Sequence, residues 1–262
     1  MFDTNYQKKI IEVTKWIKKT VHGAGFQDVI VAVSGGVDSA VSLLLAVQAL
    51  GKEHVYAVLL PYEKISPMAT VHGKLVTQIA GLSQNHIIQK DIAEVVDTIL
   101  KQIQSNNVTN IRKGNVMARV RMTFIYDLAK EKNALVLGTE NKSEYYLGYF
   151  TRFGDEASDL EPIRDFYKTQ VWEIAKILHI PGAIIAKPPS AELWDKQTDE
   201  EDFGFSYKDA DKILYHLFEQ KLSFEDIISL GFATSLVTKV LQRVKANEFK
   251  HHLPTIFNST TD

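Results

Sequence analysis

A doubly wound α/β fold, with a mostly parallel sheet and helices on both faces, is the class this sequence predicts, and three observations predict it. Short apolar, β-branched runs recur at DVIVAV (28–33), HVYAVLLPY (54–62), NHIIQKD (85–91) and ALVLGT (134–139). Segments of helical periodicity separate them, long enough to serve as right-handed crossovers between parallel strands. The chain has 262 residues, 45% of them hydrophobic and none of them cysteine, so it is long enough to bury a sizeable core and must do so without disulfides.

In chain order, residues 5–20 place Ile10, Val13, Trp16 and Ile17 on one face with lysines opposite, which predicts an amphipathic helix packed on the core. DVIVAV reads as a buried strand. It ends at Ser34-Gly35-Gly36, and DSAVSLLLAVQAL follows with an apolar face too broad for a surface helix. The two strands at 54–62 and 85–91 flank a helix containing VHGKLVTQIAGL. Val116, Val120, Phe124 and Leu128 recur every four residues and predict a long helix leading into the strand ALVLGT. Ligands of such sheets lie at the carboxyl ends of the strands, beside the topological switch point.

After residue 140 the chain turns rich in Gly, Pro, Ser and acids, as in YYLGYFTRFGDEASD and KPPSAELWDKQTDEEDFGFS. Long loops of this kind are functional or disordered. Trp194, Phe203, Phe205 and Tyr207 favour ordering on a ligand or partner, with simple surface packing as the alternative. The tail from Lys250 to Asp262 is expected to be mobile at its end. A formal net charge of −2 gives no global attraction to polyanions, so nucleic acid is not expected as a partner. No stretch approaches the ~20 apolar residues of a bilayer span, and MFDTNYQKKI lacks a signal-peptide core; a cytoplasmic protein with no membrane association is expected.

The most specific stretch is AVSGGVDSAV, residues 32–41. A Walker-type loop carries GxxxxGK[ST], and this one has no lysine. It offers Ser34, Gly35, Gly36 and Ser39 between a buried strand and a helix N-terminus, where backbone N–H groups and the helix dipole favour a phosphate or pyrophosphate. Asp38, at the start of that helix, is either an N-cap or a carboxylate for a hard cation such as Mg²⁺.

SGGVDS resembles the PP-loop of the ATP pyrophosphatases, which cleave ATP between its α and β phosphates. GNVMARVRM, LVLGTENKSEYYLGYFTRFGD, DLEPIRDFYKTQV and KPPSAELWDKQTDEEDFGFSY together resemble the ammonia-dependent NAD⁺ synthetases. With the PP-loop the resemblance covers about residues 30–207 and extends weakly to NEFKHHLP. It implies an adenine nucleotide alpha hydrolase-like, Rossmann-like fold in a single synthetase domain over 1–262, with a PP-loop core at about 28–207 and a helical part at about 206–262. It also implies adenylation of deamido-NAD⁺ on its nicotinate carboxylate, displacement of AMP by ammonia, Mg²⁺ with ATP as co-substrate, and a homodimer with the dinucleotide across its interface. The helix GNVMARVRMTFIYDL is the candidate to pack there.

The resemblance carries over to particular residues. It puts Ala32, Val33, Ser34, Gly35, Gly36, Val37, Asp38, Ser39, Thr139, Lys168 and Ser190 on ATP, Asp38 and Glu144 on the metal, and Arg119, Arg152, Asp159 and Lys250 on deamido-NAD⁺. Asp38, Glu144 and Lys168 form the catalytic set, Lys168 supplying from a distant segment the lysine the loop lacks, where it stabilises charge on the phosphates. Alternatives stay open: Glu144 as an exposed charge opening a helix, Lys168 as the first turn of KTQVWEIAKIL, and Arg119 and Arg121 as solvated arginines beside the apolar stripe. Asp155 is expected to order its loop. Asp159 is a candidate to take the proton of ammonium. Where some members carry histidine-lysine, this chain has Phe249-Lys250, and the resemblance gives Phe249 no role. The loops at 150–160 and 187–205 are expected to close over an adenylate that water would hydrolyse.

Glutamine-dependent relatives add a glutaminase domain with a cysteine nucleophile; this chain has neither that length nor any cysteine, so free ammonia is the expected donor. Two other classes compete. One is a PP-loop enzyme acting on tRNA, which calls for a basic surface and often a cysteine. The other is a nucleotide-binding module without chemistry, like regulatory or electron-transfer proteins of similar fold, which has no need of the Asp38, Glu144 and Lys168 set.

Overall fold

The computed structural model describes residues 4–62, 67–103, 108–194, 196–252 and Phe257. Helix α1 (Tyr6–Gly23) leads into β1 (Asp28–Ala32), α2 (Val37–Leu50), β2 (Val55–Leu59), α3 (Pro67–Ile79), β3 (Ile87–Gln89), α4 (Ala93–Ile103), α5 (Asn110–Lys132) and β4 (Ala134–Leu137). Beyond β4 the described elements are α6 (Lys142–Leu147), α7 (Lys168–Ile177), α8 (Gly182–Ile185), α9 (Asp199–Phe203), α10 (Tyr207–Leu214), α11 (Phe224–Ser229) and α12 (Thr234–Asn247). The strands form one parallel sheet in the order β3-β2-β1-β4, with Val29 opposite Val55 and Leu135. The predicted class and all four predicted strands are present. Chain order moves outward from β1 to β3 and then jumps back to the other side of β1, so the switch point lies between β1 and β4.

Alternation along the strands splits the core in two. Val29, Val31, Val55, Ala57 and Leu137 pack with α1, α2 and α7, while Ile30, Val58 and Val136 pack with α4 and α5. In α1, Ile10 and Ile17 are buried as expected and Val21 continues the stripe, but Trp16 stays 43% exposed. Positions 10, 17 and 21 stack within one narrow sector of a 3.6-residue turn, and Trp16 falls on its flank. In α5 the buried line is Met117, Val120, Ile125 and Leu128, with Val116 and Phe124 at its margin. That buried line faces the chain's own sheet, while Val116, Met122, Phe124 and Tyr126 stay partly exposed beside it.

A third cluster holds the C-terminal helices. Phe203, Phe205 and Tyr207 are all under 9% exposed and pack with Leu147, Tyr167, Ile213 and Val237. The packing alternative therefore holds for these three aromatics; Trp194 is half-buried. Lys250, at the head of the expected mobile tail, is tied down, its Nζ donating to the carbonyls of Gly148 and Phe150 at 2.6 and 2.9 Å. Most of the tail beyond it lies outside the described residues. Among the described residues no helix is long and apolar enough to cross a membrane.

The segment after β4 doubles back along the sheet. Leu160 bridges Leu137, and the Asp159 carboxylate accepts the Val136 N–H at 2.7 Å on the edge that β1 leaves free. Next to it Glu161 accepts the Glu140 N–H (3.2 Å) and the Ser158 hydroxyl (2.7 Å) and approaches Gly138 so closely that a Cβ there would overlap its carboxylate. Arg164 bridges Glu161 and Glu140. Burial pushes Glu161 up to about 7 despite Arg164, and lifts Glu140 well above the usual carboxylate range. In the unfolded chain Glu161 ionises near ~4.3, so between these values the folded state holds the extra proton and this residue's contribution to stability falls as pH rises. Glu161→Gln is expected to flatten that part of the decline. Denaturant midpoints followed from about pH 5 to pH 7 test this, and a variant whose midpoint falls in parallel with the wild type refutes it.

Candidate active site

The carboxyl ends of β1 and β4 open into a cavity of about 270 Å³. Its floor is the loop after β1. Gly35 has φ +82°, and a Cβ there would stand 2.5 Å from the Ala69 carbonyl, so both the backbone conformation and the approach of α3 require glycine. The Ser39 hydroxyl accepts the Ser34 N–H (3.2 Å) and donates to the Gly36 carbonyl (3.0 Å), while the Gly36 N–H donates to Ser34 Oγ (3.2 Å). These bonds fix the loop before any ligand arrives. Gly36 is the N-cap of α2 and supplies no side chain to its first turn, which leaves that helix end available to an anion.

Asp38 does not cap α2. It lies one residue inside, and its carboxylate accepts Lys168 Nζ at 2.5 Å and Asn141 Nδ2 at 2.9 Å. Glu144 is the third residue of α6, where Asn141 and Glu144 form a capping box, and its Oε1 lies 3.0 Å from Lys168 Nζ. It is 16% exposed, not the exposed charge that was the alternative. Lys168 does open α7, and its side chain, 3% exposed, ends between the two carboxylates. Burial works against its charge, but Asp38 and Glu144 outweigh burial and hold its pKa above the ordinary value. Burial first, with Asp38 adding to it, raises the Glu144 pKa against the pull of Lys168. Three residues far apart in sequence thus meet on one side of the loop.

Thr139 and Ser190 line the same cavity, along with Ala32, Val33, Ser34, Gly36, Val37 and Ser39. Gly35 is buried against α3 and does not line the cavity. Ser190 Oγ accepts the Glu192 N–H at 3.0 Å, and Lys187 pairs with Glu192 across the turn. Four expected residues are not part of the cavity lining, and three of them meet around the 148–152 backbone. Arg119 is exposed and donates to the Arg152 carbonyl at 3.2 Å, Arg152 donates to the His252 carbonyl, and Lys250 holds the 148–150 backbone. Asp159 is engaged by the Val136 N–H. Asp155 accepts the Thr151 N–H at 2.8 Å and so orders its loop as expected. Phe249 is 61% exposed. Arg121 is not solvated: it turns into the cavity, Nε donating to the Leu60 carbonyl at 3.0 Å.

Other contributors went unread in the sequence. Val58, Leu60, Met122, Ile125 and Val136 give the cavity an apolar wall, suited to a flat ring system. Asn141 is fully buried on Asp38; the spacing of Asn141 and Glu144 in TENKSE is a capping-box signal that could have found it. Asp199, 2% exposed, accepts the Tyr207 hydroxyl at 2.9 Å and leaves Oδ1 unpartnered on the cavity side of α9. Among the described residues no three His, Cys, Asp or Glu side chains converge as a metal cage, so a cation here has two carboxylates, Asp38 and Glu144, and takes its other ligands from outside the protein.

The family described as NAD synthase matches residues 9–254. The NH(3)-dependent NAD(+) synthetase of Fusobacterium nucleatum is 39% identical over 254 residues, covering 97% of this chain and 96% of that protein. Among solved structures, the NH3-dependent NAD synthetase from Campylobacter jejuni, in complex with the nitrate ion, superposes with a TM-score of 0.82 at 30% identity, covering 97% of this chain and all of that one. The NMN synthetase from Francisella tularensis superposes with a TM-score of 0.85 at 26% identity, covering 98% and 100%. On this match of sequence along nearly the whole chain, and of fold around the cavity just described, the chain belongs to the NAD synthase family.

Proposed function

We propose that the chain converts deamido-NAD⁺ to NAD⁺ with ATP and ammonia, through an adenylate on the nicotinate carboxylate. The single observation that carries the chemistry is the Lys168 ammonium held at 2.5 and 3.0 Å between Asp38 and Glu144, beside a loop preformed for phosphate. ATP lies with its base against the apolar wall and its β and γ phosphates on the Ser34–Ser39 loop, with Thr139 and Ser190 at the rim. A nicotinate carboxylate oxygen attacks the α phosphorus, the bond to the bridging oxygen breaks, and pyrophosphate leaves into the loop and the first turn of α2. Ammonia then attacks the acyl carbon, AMP departs with the C–O electron pair, and one proton is shed from nitrogen. Lys168 stays charged throughout, because the carboxylates around it raise its pKa, and so neutralises the departing phosphates.

The residues present fit Mg²⁺. Asp38 and Glu144 both reach the cavity beside the loop, and magnesium favours one or two carboxylates plus substrate phosphates. Asp38 and Glu144 would hold it, and its chemistry there is to screen the phosphates and polarise the α phosphorus. Arg119, Arg152 and Lys250 meet around the 148–153 backbone, and we assign that face, together with Asp159, to the dinucleotide. Asp159 as proton acceptor for ammonium has weaker support, since its carboxylate closes the β4 edge. The core at about 28–207 and the helical part after it act as one synthetase unit, in the cytoplasm. The likeness to the NH(3)-dependent NAD(+) synthetase of Fusobacterium nucleatum, over 96% of that protein, supports free ammonia as donor.

α4 adds a second apolar face to the partly exposed residues of α5 through which two copies would meet. Val95, Ile99 and Ile103 recur every four residues and each is at least 37% exposed, with Ile111 of α5 nearby in sequence at 66%. Ile99→Asp is expected to turn a dimer into a monomer in sedimentation velocity; a wild-type monomer, or an unchanged variant, refutes this interface.

The test of the reaction is formation of NAD⁺ and AMP from ATP, Mg²⁺ and deamido-NAD⁺, with ammonium chloride against glutamine. Ammonium-dependent NAD⁺ in equal amount to AMP is expected, and turnover only on the corresponding mononucleotide would move the substrate. Asp38→Ala and Lys168→Met are each expected to lower kcat by roughly 10²–10³-fold, as removal of an electrostatic stabiliser does. Full activity in either variant removes that residue from the mechanism.

A further inference from the structure

Asp211 lies outside the cavity, in α10, and is 1% exposed. Its Oδ1 accepts the Ser143 hydroxyl at 2.5 Å, and its Oδ2 accepts both the N–H and the hydroxyl of Thr169, at 2.9 and 2.7 Å. Ser143 Oγ in turn accepts the Lys168 N–H at 2.8 Å. Ser143 and Thr169 each adjoin a member of the charged set, Glu144 in α6 and Lys168 in α7. A single carboxylate therefore ties together the first turns of the two helices that must present opposite charges to Asp38.

Stability alone accounts poorly for this group. Among the described residues Asp211 is in no ion pair, all of its hydrogen bonds come from neutral donors, and a well-packed apolar side chain is often no less stable than a buried charge. What apolar packing does not supply is direction: three donors converging on two oxygens fix how α6 and α7 are rotated about each other. We propose that Asp211 is a positioning residue, which through Ser143 and Thr169 sets the separation of Glu144 from Lys168 and thereby the affinity of the site for the cation that accompanies ATP. This rests on the reading of Asp38, Glu144 and Lys168 as the ATP–cation site.

The test compares Asp211→Asn, Ser143→Ala, Thr169→Val and Thr169→Ser in the full chain. Mn²⁺ binding in the presence of a non-hydrolysable ATP analogue is titrated by calorimetry, alongside kcat, KM for ATP, circular dichroism and the melting temperature. Asp211→Asn is expected to weaken Mn²⁺ binding and lower kcat by roughly 10-fold or more, the usual effect of losing a group that orients a ligand, with the helical spectrum kept. Thr169→Ser, which keeps both donors, is expected to retain wild-type behaviour, and Thr169→Val and Ser143→Ala to lose part of it. A purely structural role would lower the melting temperature of all variants and leave Mn²⁺ affinity and kcat alone; that result overturns the inference. Should Asp211→Asn not fold, Ser143→Ala and Thr169→Val decide by the same criteria. A wild type that binds no Mn²⁺ with the analogue overturns the site reading and this inference together, whereas normal wild-type binding with unaltered variants overturns the inference alone.

Discussion

A lysine ammonium removed from water and placed between two carboxylates is the contact on which the rest of the site depends. Lys168, Asp38 and Glu144 come from α7, α2 and α6, so the three helices can present their N-termini to one cavity only while their charges balance. Taking such groups out of water costs several kcal/mol per ion, and an arrangement of this kind persists only with good geometry and further hydrogen bonds. Asn141 on Asp38 and the capping box around Glu144 supply them. Burial, more than the neighbouring carboxylates, raises the Glu144 pKa, so the pairing with Lys168 is what favours its charged form.

The substitution of a distant lysine for a local one has a geometric meaning. In a loop that carries its own lysine, the cation travels with the phosphate cradle. Here the cradle is made of backbone and serine hydroxyls, and the cation comes from α7, at the far end of the segment that folds back along β4. Phosphate recognition and charge stabilisation thus lie on different pieces of the structure, and their alignment is a property of the whole fold. That division suits a reaction in which the leaving group stays in the cradle while the reacting phosphorus changes partners.

The sheet was legible because its strands are apolar runs bounded by turn residues, a local signal. The loop was legible because small residues between strand and helix have few other uses. Glu144 and Lys168 were found by likeness to a family, since one glutamate and one lysine in polar stretches carry no signal of their own. Arg121 stayed undecided because periodicity separates core from surface and has no third class for a cavity wall. Phe203, Phe205 and Tyr207 were misread for a related reason: a polar, Gly-rich context suggests a loose segment, but the helices that cover these rings lie later in the chain. Asp199 and Asp211 were invisible, because burial of a carboxylate depends entirely on tertiary neighbours.

The Asp159 carboxylate has a consequence for how copies of this chain can meet. Its hydrogen bond to the Val136 N–H, together with the Leu137–Leu160 bridge, covers the outer edge of β4, and the opposite edge is the three-residue β3. An open strand edge is a template for another strand, and a short or occluded one is not. Neither border of this sheet invites extension, so assembly by continuing the sheet from one molecule into the next is disfavoured. Among the described residues, the same loop that lines the cavity also occludes the edge along which a second strand would add.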